Sequence, residues 1–181
     1  MKPFAYYIIS IALILVSCSS LKTNVSQASI DALDQLVRDK HFRIESDWAY
    51  PQTTAAMQQI ANSGLLGVGN SANAISLIGN YNHLTISGDS ITSYLPYFGE
   101  RQMQVDYSAT NSAIQFNGII KNYTSAKNKD NSYTISFEAK SKSENFNVSV
   151  KIYPNLRSNM ALSGMSRFSI QYSGTVELIT Q

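Results

Sequence analysis

Only His41 and His83 can titrate near neutrality without a shift, so they are the first places to look for acid–base or metal chemistry. They lie at different strand ends, far apart in sequence. His41 alternates with Glu45 and Asp47 onto one strand face, a spacing typical of a solvated surface rather than of a ligand cage. Asp89, Glu100, Asp106, Asp130, Glu138 and Glu144 fall mostly in turns or at strand ends, and nothing marks any two as an acid–base pair. Lys121, Lys127, Lys129, Lys140 and Lys142 alternate with Asp130, Glu138 and Glu144, which reads as solvated turns and not as a nucleic-acid patch. No nucleophile elbow or Ser-x-x-Lys motif occurs. The expectation is a protein that is not an enzyme, with no metal and no cofactor.

Cys18 carries the most specific chemical signal. Residues 1–17 have a basic start at Lys2, an apolar run from Tyr6 to Val16 and then small residues, which is a secretory signal too short to span a bilayer. Leu15-Val16-Ser17-Cys18 resembles the lipobox, in which the cysteine becomes the first mature residue and takes diacylglyceryl on sulfur and an acyl chain on its amine. The alternative is a secreted protein with a stray cysteine in its signal. Cys18 is the sole cysteine, so no disulfide forms within the domain and no thiolate cage or catalytic thiol remains after acylation. Several acyl chains, at about 0.8 kcal/mol per buried methylene, give lasting attachment where one chain is marginal. The chain has 14 basic and 12 acidic residues, and loss of Lys2 with the signal leaves 13 against 12. A near-neutral mature protein has no electrostatic preference for nucleic acid or an anionic surface.

The elements that must position these residues are mostly strands. At 181 residues the chain is one domain by length, able to bury roughly 70% of its unfolded surface. Its 14% charged residues and 11 tyrosines suit strands with hydroxyl and amide outer faces. The expected organisation is a signal peptide over 1–17, a lipidated cysteine and polar tether over 18–28, and one β-barrel domain over 29–181. Ile30, Leu33, Leu36 and Val37 have helical spacing, with Ser29 as N-cap, and the stripe packs against the sheet or across a barrel end. Phe42, Ile44, Ser46 and Trp48 alternate inward on a first strand that Pro51 ends, and Thr53 or Thr54 caps a helical turn through Met57, Ile60 and Ala61.

Gly64-Leu65-Leu66-Gly67-Val68-Gly69 lacks the order of a dinucleotide fingerprint. It reads either as a loop folded onto the core or as a hinged lid of Leu65, Leu66 and Val68 over a cavity. Asn82 to Gly99 is the organising stretch, a hairpin turning at Gly88-Asp89. A type II′ turn there sets Ile86 opposite Ile91 and Thr85 opposite Thr92, with Leu84, Ile86, Ile91 and Leu95 facing the core. Pro96 closes the strand before Tyr97 and Phe98. Strands follow over Met103–Tyr107 and Ala113–Ile120, the latter bent or bulged at Gly118. Tyr133–Ala139 and Phe146–Ile152 come next, and short final strands lie near Ala161-Leu162, Phe168, Ile170, Tyr172, Val176 and Leu178.

SGDSITSYLPYFG, with the spaced Phe116-x-Gly118, Tyr123, Tyr133-x-Ile135-x-Phe137 and Ile170-x-Tyr172-x-Gly174, resembles a Bacteroidetes lipoprotein family, domain of unknown function 4251. The resemblance runs from about residue 30 to the C-terminus. It implies a lipocalin-like antiparallel β-barrel, with a two-sheet β-sandwich as the alternative, and an envelope location, but no activity. Ser19 to Asn24 lacks the acidic run that resembles the Bacteroidetes surface-export signal, so the periplasmic face of the outer membrane is expected. Asp89-Ser90-Ile91 resembles the triplet at which Bacteroidetes proteins are O-glycosylated on the hydroxyl, here Ser90; a plain hairpin turn is the other reading.

Two functions compete on these grounds. The first is a lipid-anchored barrel that binds a small apolar ligand or a peptide, with Trp48, Tyr94, Tyr97 and Phe98 near its opening. The second is an accessory lipoprotein with a solid core that docks onto an envelope complex through an apolar patch outside the barrel.

Overall fold

The computed structural model describes residues 25–102, 113–141 and 144–179. Helix α1 (Gln27–Asp39) buries the stripe Ile30, Leu33, Leu36 and Val37. Its N-cap is Ser26, whose Oγ accepts from the Ser29 N–H at 3.1 Å, so the helix starts three residues before the position expected with Ser29 as cap, and Ser29 lies inside its first turn. Lys40, in the left-handed region at φ 48, ends α1 and turns the chain directly into β1 (His41–Pro51).

After β1, Thr54 caps helix α2 (Ala55–Asn62), its hydroxyl accepting from the Met57 N–H at 3.2 Å. The remaining strands are β2 (Ile75–Ser76), β3 (His83–Ser87), β4 (Ser90–Tyr94), β5 (Asn117–Ile119), β6 (Lys121–Lys127), β7 (Tyr133–Ser141), β8 (Glu144–Ile152), β9 (Arg157–Gly164) and β10 (Ile170–Leu178). They form one antiparallel sheet in the order β5-β4-β3-β1-β10-β9-β8-β7-β6, with β2 added on β1. Its first and last strands, β5 and β6, are separated in the chain by Ile120 alone, so a single bent segment pairs with β4 on one side and β7 on the other. This bend brings the sheet round into a nearly closed barrel, which leaves little free edge. Ile120 is buried there and its N–H donates to the Asp89 carbonyl at 2.8 Å.

The central hairpin has the expected register, Ile86 against Ile91 and Thr85 against Thr92. Gly88 at φ 61 supplies the positive φ that the first central position of a II′ turn requires. Leu84, Ile86, Ile91 and Leu95 are all buried. Phe146, Val148, Val150 and Ile152 line the interior from β8.

Three expectations need correction. The strand over Ala113–Ile120 is only β5, and its irregularity is not at Gly118. The pairing shifts between Lys121 and Thr124, with Asn122 at φ 53, and the unforeseen β6 follows. The short C-terminal strands are two long ones, β9 and β10, with Phe168 outside both. In β1 a bulge between Ser46 and Trp48 shifts the alternation, so Ala49 rather than Trp48 takes the inward position. The expected strand Met103–Tyr107 lies outside the described residues.

The interior is filled by its own large side chains. Phe42, Phe116, Phe146 and Tyr172 are each at most 2% exposed, and the Phe116 and Phe146 rings meet edge to face at 5.6 Å between centroids. Full burial of each such side chain contributes about 1.5–3 kcal/mol.

Candidate functional site

The four aromatic residues expected around one opening are separated by the fold. Trp48 is half-buried on the outer side of the β1 bulge. Tyr97 is buried at the barrel end beyond β4, where its hydroxyl donates to the carbonyls of Glu100 at 2.8 Å and Phe168 at 3.0 Å. Burial pushes its pKa up to about 12, with the neighbouring Arg167 charge opposing the shift. Phe98 bridges the main core and a satellite cluster of Met57, Ala72 and Ile75. Tyr94 faces outward with Tyr81.

A buried ion pair closes that same barrel end. Arg167 Nε donates to Glu144 Oε2 at 3.0 Å, and Glu144 Oε1 accepts from the Ser166 N–H at 3.0 Å. The two side chains are 10% and 11% exposed. The Arg167 guanidinium lies 5.1 Å from the Tyr97 ring centre, and Tyr172 Oη donates to the Pro96 carbonyl at 2.8 Å. Glu144 ties β8 to the β9–β10 connection, while Tyr97 and Pro96 tie the YLPYFG segment to that connection and to β10. The arrangement is a structural clasp; it holds charges in fixed pairs and presents no exposed nucleophile.

The glycine loop is built from successive turns. Gly64, Gly67 and Gly69 all take positive φ, and a chain of turns links Gly64 to Ala61, Gly67 to Gly64 and Asn70 to Gly67. The Asn70 amide pins it from both sides, donating to the Leu66 carbonyl at 2.6 Å and accepting from the Ser76 N–H at 2.8 Å. Leu66 packs on Met57, Ala72 and Ile75, whereas Leu65 is 78% exposed and Val68 fully exposed. Leu66 thus follows the folded-onto-core alternative, while Leu65 and Val68 stand out as a prong.

The outer face of β1, β3 and β4 carries the other concentration of unusual side chains. Tyr81, 66% exposed, meets His83 edge to face at 5.2 Å and Tyr94 at 5.9 Å between ring centres, with the Arg43 guanidinium 5.8 Å from its own centre. The row Arg43, Thr85, Thr92 runs across three strands beside them. Burial, and then the Arg43 charge, lower the His83 pKa from its ordinary 6.5, which favours the neutral imidazole. A third feature is a shallow groove of about 280 Å³ on β7–β9, lined by Ser136, Ser149 and Ala161 among others.

The other sequence candidates do not converge. His41 Nδ1 is 3.0 Å from Ser87 Oγ, Asp47 accepts from Arg157 at 3.0 Å, and Glu45 is exposed, so the three have separate surroundings. Among the described residues no group of three or more His, Cys, Asp or Glu is placed to hold a metal. Ser90 is exposed beside the turn, and Cys18 lies outside the described residues. No helix among them is long and apolar enough to cross a membrane. One signal was overlooked in the sequence: residues 48–88 contain no Asp, Glu, Lys or Arg, and both the prong and Tyr81 belong to that stretch.

Comparison with known proteins bears on the fold. The profile of a family described as a domain of unknown function, DUF4251, matches residues 24–176. Among solved structures, the crystal structure of a DUF4251 family protein from Bacteroides eggerthii DSM 20697, at 1.95 Å resolution, is similar at 10% identity and a TM-score of 0.55. The similarity covers 83% of this chain and 88% of that one, and at such identity it speaks to the fold alone. No curated protein matches the chain.

Proposed function

The chain belongs to the DUF4251 family, and from that premise and the geometry we propose that it is a lipid-anchored, non-enzymatic docking module of the cell envelope. Its anchor would be Cys18, its location the periplasmic face of the outer membrane, and its partner an envelope protein offering an apolar, uncharged recess. The observation that carries this is the polarity of β1. Helix α1 enters at His41, and α2 with its glycine prong leaves at Pro51, roughly 35 Å of strand away. The chain leading back to Cys18 therefore departs from one end while Leu65 and Val68 project from the other.

The absence of charge from residues 48–88 supports an uncharged recess over an ionic partner, because burying the prong then strands no ionised group. Burying Leu65 and Val68 is worth about 3–5 kcal/mol together, too little for a free encounter but useful when a shared membrane raises the local concentration. The small-ligand reading draws less support, since large side chains occupy the interior and the glycine loop is pinned.

The test uses the full acylated chain in mild detergent with a photo-crosslinking residue in place of Leu65. Expected are one discrete crosslinked partner, its loss in Val68→Asp with an unchanged melting curve, and no crosslink to that partner from the same residue at Asn159. Equal crosslinking from both sites would overturn docking through the prong. A small-molecule mass adduct in native mass spectrometry that leaves on activation would favour the ligand reading instead.

A further inference from the structure

We propose that the outer face around Tyr81 is a binding site for a neutral saccharide, separate from the prong and independent of the docking reading. A tyrosine that is 66% exposed is ordinarily a mobile surface side chain. Here its ring is held by His83 at 5.2 Å, Tyr94 at 5.9 Å and Arg43 at 5.8 Å, so the entropy of fixing it is already spent before anything binds. An aromatic face carries the negative part of the ring quadrupole and attracts the weakly positive C–H groups that a sugar ring presents on one side.

A sugar also needs hydrogen-bonding groups at its rim, of both senses and in fixed places. Thr85 and Thr92 are paired directly across β3 and β4, and Arg43 is paired with Thr85 across β1 and β3. Hydroxyls donate and accept, and the guanidinium donates in a planar fork. His83 adds an imidazole whose neutral form its burial favours.

A nucleobase could also stack on Tyr81, but a nucleotide brings phosphate. Residues 48–88 supply no cation, and on β1 Arg43 has the exposed Glu45 two residues away on the same face. That balance favours a neutral ligand. A single open face without a deep cavity makes for weak binding, in the millimolar range typical of about −4 kcal/mol.

The experiment is saturation-transfer NMR on the full chain in a detergent without a sugar headgroup, with maltotetraose, chitotetraose and AMP as separate probes. Transfer to sugar ring protons from one of the two oligosaccharides is expected. It should persist in Tyr81→Phe and in Tyr50→Ala, a tyrosine exposed elsewhere, and weaken at least tenfold in Tyr81→Ala. Thr92→Val should weaken it several-fold without touching the stacking ring. The proposal is overturned by no transfer to either oligosaccharide, by equal transfer in Tyr81→Ala, or by AMP binding more tightly than both sugars, which would indicate a nucleotide site. Because none of these variants touches Leu65 or Val68, failure here leaves the docking test standing on its own.

Discussion

A β-carbon on Gly174 would fall 2.6 Å from Ser46 Cα and closer still to the Glu45 carbonyl oxygen. The bulge in β1 sets Gly174 opposite Ser46, and backbone on backbone leaves no flexible group to give way. Gly174→Ala should therefore destabilise the fold by about 3 kcal/mol, at the upper end for overpacking. Gly99 differs in kind. Gly99 is not among the positive-φ residues, and its constraint is the Tyr97 ring, with Cζ 2.7 Å from a built β-carbon. A ring can rotate away, at the loss of the two bonds its hydroxyl gives to Glu100 and Phe168. Gly99→Val should then cost about 1–2 kcal/mol. Thermal or urea unfolding of the two variants checks the order, and a Gly174→Ala protein as stable as wild type would show that β1 and β10 can separate at the bulge.

The turn between β6 and β7 is held by side chains acting on backbone. The Asn128 amide donates to Ser132 Oγ and Thr134 Oγ1, each at 2.9 Å, and Asp130 Oδ1 accepts from both the N–H and the hydroxyl of Ser132. Those Ser132 bonds, then the Lys151 ammonium at 3.0 Å, hold the Asp130 carboxyl at a pKa of about 2, below its ordinary 3.8. A folded-state pKa below the unfolded one means the stabilisation is complete above about pH 4 and disappears as pH falls through 2. Melting temperatures of wild type and Asp130→Asn should differ at pH 5 and converge between pH 4 and pH 2; a constant gap would mean the carboxylate charge plays no part. Lys127-Asn128-Lys129-Asp130-Asn131 was legible as a turn because Asn and Asp bond their own neighbours. The hairpin at Gly88, the β8 alternation and the α2 cap were legible for similarly local reasons. Strand β6 was not, since its outward positions are almost wholly exposed and its sequence, KNYTSAK, has no apolar alternation to betray it. The β1 bulge was hidden as well, because only the partner glycine at 174 marks it, and that glycine is distant in sequence. Nor did the separation of Tyr94 from Tyr97 show in the spacing; Pro96 between them turns the chain from the outer face into the barrel end.

Closure through Ile120 gives the molecule two different ends, one capped by α1 and the other carrying α2, the prong and the Arg167–Glu144 clasp. On the anchoring proposed at Cys18, whatever lies nearest the tether would face the bilayer and whatever lies farthest would be free to meet a partner. The eight residues between Cys18 and α1 reach at most about 28 Å, so an anchor at Cys18 would keep the barrel close to the membrane. Attachment and docking should therefore be separable. Cys18→Ala should move the protein from the membrane pellet to the soluble fraction with its melting curve unchanged, because the domain's core lies wholly beyond the anchor. Crosslinking at Leu65 should fall with it, since a few kcal/mol of apolar contact suffices only while the bilayer concentrates both partners. Persistence of Cys18→Ala protein in the pellet would refute the lipid anchor. Soluble protein that still crosslinks at full strength would show instead that the prong binds its partner without help from the membrane.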